Sequence, residues 1–327
     1  MKTFATIVLF TGLLCVGSAG ATGLLPLHPV NTYSIVCYDS VTGEFGAAVQ
    51  SHWFKVADVI WAEPGVGVVA TQSLVDFAYG PLGIEMMKNG RTAAQALAGL
   101  IESDPNSGVR QVAMIDADGS VVAHTGDKCI AEAGHRTGAN YSVQANLMEY
   151  NTVWDAMAEA FEATDGDLAD RMMAALEAAQ GEGGDIRGKQ SAAMIVVRGQ
   201  PTGQIWREKL IDIRVDDSAE PLVELRRLLN ITRAYDLMNE GDELLAEEDF
   251  DGASSAYEAA SELAPGNLEI LFWHAVTLAG VDEVERSLPI FREVFAKDEN
   301  WRTLVPRLVA SELLPNDSAM IQKIVGQ

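Results

Sequence analysis

Two apolar runs, Thr32–Asp39 and Glu44–Ser51, are separated only by Ser40-Val41-Thr42-Gly43. At that spacing the chain must fold back on itself as an antiparallel β-hairpin. The first strand of this hairpin opens on a hydroxyl residue. A threonine that begins a chain carries a nucleophile and its base together, because the free α-amine can take the proton from its own Oγ. For Thr32 this chemistry requires the Asn31–Thr32 bond to be cut.

The residues ahead of the hairpin read as an export address. Lys2 is followed by the apolar stretch Phe4–Val16 and by Ala19-Gly20-Ala21, the pattern of a secretory signal peptide over 1–21. Residues 22–31 form a leader in which Pro26 and Pro29 favour an extended connector. Signal cleavage after Ala21 would leave Thr22 first, so a second cut is needed to free Thr32. No other segment reaches the roughly 20 apolar residues of a membrane-spanning helix. These features place the mature protein in the periplasm or outside the cell.

Lys and Arg number 23 against 47 Asp and Glu, a formal charge of −24. Such a surface repels phosphate backbones and anionic membranes, so nucleic acid is not expected as a partner. Cys15 leaves with the signal, and Cys37 and Cys129 remain, with Cys37 read as core packing and their pairing left open. No HExxH, CxxC or Cys/His cluster occurs, so neither metal nor cofactor is indicated.

Beyond the hairpin, strands are expected at Val59–Ala62 and Val66–Thr71, turned by Pro64-Gly65. Helices follow at Asp76–Lys88 and from Thr92, an N-cap, to Ile101. Asp116-Ala117-Asp118-Gly119 joins two β-runs and reads as a hairpin turn rather than a calcium loop, because no closing glutamate follows. Gly126–Gly138 reads as a loop, Asn140–Asn146 as a strand, Asn151–Ala163 and Asp167–Ala179 as helices, and Lys189–Val197 and Leu210–Val215 as strands. Sheets layered with helices result, an α+β arrangement. After Ser218 the pattern is helical throughout. Ala253–Asn267 has the small residues and terminal Pro-Gly of a tetratricopeptide repeat. This region is expected either to dock as an appendix or to hold a peptide.

There is no GxSxG elbow, phosphate loop or GxGxxG after a strand. Candidate chemistry therefore rests on polar residues at strand ends and in loops, among them Thr32, Ser34, Ser51, Thr71, Gln72, His124, His135, Gln144, Asn146, Asp185, Arg187, Lys189 and Ser191. Asp185 and Arg187 read either as an ion pair holding their loop or as part of a clamp for a substrate carboxylate.

The runs Thr32-Tyr33-Ser34-Ile35-Val36, Gly46–Ser51, Pro64–Gln72, Tyr79-Gly80-Pro81, His124-Thr125-Gly126, Gly134–Gly138, Tyr141–Asn146 and Gly184–Ala193 occur in an order that resembles the family labelled DUF1028, over about residues 32 to 230. The resemblance implies the fold of N-terminal nucleophile (Ntn) hydrolases. That fold is a four-layer αββα sandwich over 32–218, here followed by a small all-α domain over 219–327. Some relatives carry a C-terminal domain described as peptidoglycan-binding in that place. The resemblance further implies an amidohydrolase of a small amide or peptide-like substrate with Thr32 as nucleophile. Position then suggests Asn146 or amides near Thr71 for the oxyanion, Arg187 or Lys189 for a substrate carboxylate, and His124 as a further substrate contact. The competing expectation is a non-catalytic binding or scaffold protein that holds a peptide or cell-wall partner through its C-terminal helices. Homo-oligomerisation stays open in both.

Overall fold

The computed structural model describes residues 29, 30 and 32–327. The signal peptide expected over 1–21 and the leader expected over 22–31, except Pro29 and Val30, lie outside the described residues. Among the described residues no helix is long and apolar enough to cross a membrane.

Two antiparallel sheets face each other. The first has the order β1 (Pro29–Val30), β5 (Gly67–Leu74), β6 (Arg110–Asp116), β7 (Val121–Thr125), with β4 (Ile60–Glu63) also on β5. The second runs β11 (Lys209–Val215), β10 (Ser191–Val197), β3 (Phe45–Ser51), β2 (Thr32–Tyr38), β9 (Tyr141–Ala145), β8 (Gly134–Gly138). The hairpin at residues 32–51 forms with Thr32 opposite Ser51 and Tyr38 opposite Phe45. Its turn is fixed by Asp39 Oδ1, which accepts from the Val41 and Thr42 amides, and by Gly43 at φ 79°.

Strand alternation assigns each side chain to a face. Val36, Ala47, Val49, Val68, Ala70, Ala113, Ile115, Ala193 and Ile195 meet between the sheets. On the outer face of the first sheet, Val69, Val112 and Met114 pack with residues of α1 (Tyr79–Lys88) and α2 (Ala93–Ser103). On the outer face of the second, Tyr33, Ile35, Cys37, Val143 and Met194 pack with α3 (Val153–Ala163), α4 (Leu168–Gly181) and the start of α5 (Pro221–Ala246). Cys37 is fully buried there, and both Cys37 and Cys129 are free thiols.

Local signals explain most boundaries. Thr92 and Gln95 close a reciprocal capping box at α2. Asp116 holds its hairpin turn through Oδ1, which accepts from the Asp118 and Ser120 amides, while its Oδ2 accepts from the Ala93 amide of α2. The first helix starts later than its periodicity suggests, at Tyr79, and leaves Phe77 and Leu82 exposed. The reason is close approach: a Cβ on Gly80 would lie 2.2 Å from the Trp61 ring, so the glycine side of the helix faces the sheet. Residues 126–138 are not all loop. Their last five form β8, which pairs with β9.

The C-terminal region is helical: α5, α6 (Phe250–Leu263), α7 (Leu268–Gly280), α8 (Val284–Lys297), α9 (Asn300–Leu308) and α10 (Ser318–Val325). Its own core gathers Phe272, Phe291, Val294, Val305 and Ile324. Helix α5 belongs to both regions. Leu222, Leu225 and Leu229 complete the core over the second sheet, whereas Ala234 packs with Ala260 and Ile270. Arg233 grips Asp167 and Asp170 at the start of α4, and Arg226 reaches Glu177 farther along it.

Candidate functional site

Thr32 is the first residue of β2, and its side chain is on the inter-sheet face with Ser34 and Val36. Its neighbours across the second sheet are Ser51 on β3, Ser191 on β10 and Asn146 just past β9. All four are fully buried. Ser191 Oγ donates to the Trp53 carbonyl and accepts from the Val56 amide, so it secures the turn after β3.

The Thr32 hydroxyl donates to the Val30 carbonyl at 2.9 Å. The Thr32 carbonyl accepts from the Asn146 amide at 3.1 Å, from Gln72 Nε2 at 3.0 Å and from Asn146 Nδ2 at 3.4 Å. Behind these donors runs a polar seam through the inter-sheet layer. Gln111 Oε1 accepts from Gln72 Nε2 at 2.7 Å and Asn146 Nδ2 at 3.0 Å, and Gln111 Nε2 faces Thr125 Oγ1, the Gly134 carbonyl and the Ala145 carbonyl. Gln111 therefore ties β6 and β7 of one sheet to β8 and β9 of the other. Ser34 and Gln144 extend the seam inward. Buried amides of this kind are stabilising only when partnered, yet Asn146 Oδ1 and Gln144 Oε1 have no partner among the described residues.

The seam ends at His135, whose Nδ1 lies 2.8 Å from Thr125 Oγ1 beside a cavity of about 560 Å³ lined by Thr125, Cys129, Glu132 and His135 among others. Burial and, secondarily, His124 lower the His135 pKa, favouring the neutral imidazole. Burial raises the Cys129 thiol, which disfavours the reactive thiolate.

Backbone strain collects at the same end of the sheets. Ser73 at the end of β5 has φ 72°, Leu147 directly after Asn146 has φ 56°, and Lys55 after β3 has φ 61°. Left-handed conformations at non-glycine residues persist only where surrounding structure enforces them, and they concentrate at functional sites.

The sequence candidates divide by face. Asn146 joins Thr32 directly. Thr71 and His124 do not, because they alternate onto the outer face of the first sheet. There Thr71 Oγ1 donates to the Asp76 carbonyl and His124 Nε2 bonds the Ser107 carbonyl. Arg187 is held by Asp185 through Nε at 3.0 Å and Nη2 at 2.7 Å, and Asp185 also accepts from the His52 amide just past β3. Lys189 pairs with Glu220. Both cations thus meet carboxylates of their own chain.

Two residues carry this end of the molecule without having been singled out in the sequence. Gln111 is one, the lone amide of β6, set between Arg110 and the apolar run Val112–Ile115. The other is Arg110, which binds Asp104 at 2.8 Å and the Leu74 carbonyl and so fixes the exit of β5. Burial alone would raise the Asp104 carboxyl, but hydrogen bonds from Arg110 and the Asn106 amide bring it below its usual range. Among the described residues no group of three or more His, Cys, Asp or Glu side chains is arranged to hold a metal ion.

The model of the family described as "Family of unknown function (DUF1028)" matches residues 32–225. The chain belongs to the DUF1028 family. The match begins at Thr32 and ends at Leu225, inside the part of α5 that packs on the second sheet. A crystal structure of a DUF1028 protein from Silicibacter pomeroyi is similar, with a TM-score of 0.55 and 29% identity, covering 61% of this chain and 88% of that one. No curated protein matches the chain.

Proposed function

We propose that this DUF1028 protein is an exported hydrolase of the N-terminal nucleophile type, activated when the Asn31–Thr32 bond is cut. The observation that carries the reading is the setting of Thr32. It opens the central hairpin, sits on the inter-sheet face, and has its carbonyl fixed by three donors while its hydroxyl turns toward the leader backbone. Helices on the outer face of each sheet accord with the four-layer sandwich of that superfamily.

Once cut, Thr32 has a free α-amine with an ordinary pKa of about 7.7–8.0. The amine takes the Oγ proton as Oγ bonds to the substrate carbonyl carbon. The C–N bond then breaks, and the same proton passes to the departing amine. Water adds to the resulting ester, the C–O bond to Thr32 breaks, and a carboxylic acid leaves. Asn146 Oδ1, without a partner among the described residues, is an acceptor for the new α-ammonium. The Asn146 amide is engaged by the Thr32 carbonyl and Gln111, so its part is to position Thr32. Arg187, if released by Asp185, would hold a substrate carboxylate.

A second reading, a non-catalytic binding or scaffold protein, is favoured by the complete burial of Thr32. In that reading the C-terminal helices, as a tetratricopeptide-like array, hold a peptide or cell-wall partner. N-terminal sequencing and intact mass of protein from its natural host separate the two. A functional chain that still begins ahead of Thr32 excludes the hydrolase.

A further inference from the structure

Pro29 and Val30 do not merely precede Thr32. They form β1, an added antiparallel strand on β5, with Pro29 opposite Leu74 and Val30 opposite Ser73. The edge of β5 that they cover is continuous with the edge that pairs β4 farther along, through Ile60–Glu63. Val30 is fully buried and belongs to the same inter-sheet apolar cluster as Val36, Val49 and Val59. Two positions before the bond at Thr32, therefore, the chain is held by strand pairing and by an apolar site.

We propose that this edge of β5 is the acyl-side substrate site. The ligand class is an extended peptide that replaces β1 antiparallel to β5 and places a small apolar side chain, two residues before its cleaved bond, in the site that Val30 fills. The inference rests on the hydrolase reading above, because the leader occupies the position only until Asn31–Thr32 is cut. Its physical basis is that one Oγ must meet both bonds. A segment already seated with its next peptide bond at Thr32 displays how a substrate approaches.

When β1 departs, β5 presents unpaired backbone groups at Ser73 and Leu74. An extended ligand restores that pairing, and alternate side chains supply selectivity. Ser73, one of the two paired residues, is in the left-handed conformation, so β5 departs from regular strand geometry within the stretch used. The paired stretch is therefore short, and most selectivity falls on the Val30 site. That site belongs to an apolar cluster, and burying a charge there is costly.

The test uses protein purified from its natural host, with its N-terminus read by intact mass. The synthetic peptide Leu-His-Pro-Val-Asn, which matches residues 27–31, is titrated into it calorimetrically beside the same peptide carrying Val30→Asp or Pro29→Ala. The expected result is a chain that begins at Thr32 and binds the parent peptide, with at least tenfold weaker binding for Val30→Asp and less than threefold change for Pro29→Ala. A chain beginning at Thr32 that fails to bind the parent, or binds Val30→Asp equally well, overturns the β5 site and leaves the hydrolase reading standing. A functional chain that retains residues 29–31 overturns both.

Discussion

Asn146 holds the Thr32 carbonyl twice, through its backbone amide at 3.1 Å and its side-chain amide at 3.4 Å. The same side-chain nitrogen donates to Gln111 Oε1. Replacing it with alanine leaves the backbone bond but removes the side-chain clamp, and it strips one donor from a buried acceptor. Asn146→Ala should cost about 1–3 kcal/mol, read as a lowered urea midpoint with an unchanged m-value. If the clamp also orients Thr32, cleavage at Asn31–Thr32 should slow more than the stability loss explains.

Gln111 touches four strands, so its removal should be more damaging than that of a typical surface amide. Gln111→Leu fills the volume but leaves the amides of Gln72 and Asn146 without their shared acceptor and Thr125 without its donor. With two buried amides left unsatisfied at about 1–3 kcal/mol each, a loss of roughly 2–6 kcal/mol is expected. Native-state hydrogen exchange should show β6 through β9 opening together in the variant.

Ser73 makes the opposite case. Its φ of 72° favours glycine. Ser73→Gly should therefore stabilise the fold by up to about 1 kcal/mol, measured by thermal melting. A simultaneous fall in processing or turnover would mark the strain as part of the site.

His274 lies buried in α7, stacked on Tyr257 with ring centroids 5.8 Å apart, and its Nε2 has no hydrogen-bond partner among the described residues. Burial lowers its pKa below 6.5; Glu258 opposes and Arg286 adds to the shift. The folded state therefore binds this proton less readily than the unfolded state. The contribution is full above pH 6.5 and is lost as pH falls from there toward the lowered folded value. Comparing melts of the parent and His274→Leu between pH 8 and 5 should show the parent losing more stability on acidification.

The hairpin, the Asp116 turn and the Thr92 cap were legible in the sequence because each depends on residues within a few positions of one another. The facing of Thr71 and His124 was not. Both look suitable for a site, but strand parity places them on the outer side of the first sheet, and parity relative to Thr32 is set by which sheets face each other. The Gln72–Gln111 bond spans 39 positions, and the pairing of Pro29 and Val30 with β5 spans more than 40. Neither leaves a local pattern. A lone glutamine between Arg110 and Val112 was the one available clue to the seam.

Helix α5 runs unbroken for 26 residues, about 39 Å at 1.5 Å per residue. Its first turns are built into the core over the second sheet, and its later turns into the C-terminal helices. A chain cut after Ser218 would strip Leu222, Leu225 and Leu229 from the core over the second sheet, so the natural place to sever the two regions lies beyond Leu229. The same continuity makes α5 a lever: the C-terminal helices cannot swivel freely against the sheets without unpacking Leu222, Leu225 and Leu229. Load applied to the far helices would be felt across β11 and β10, and β10 pairs directly with β3 of the hairpin that begins at Thr32.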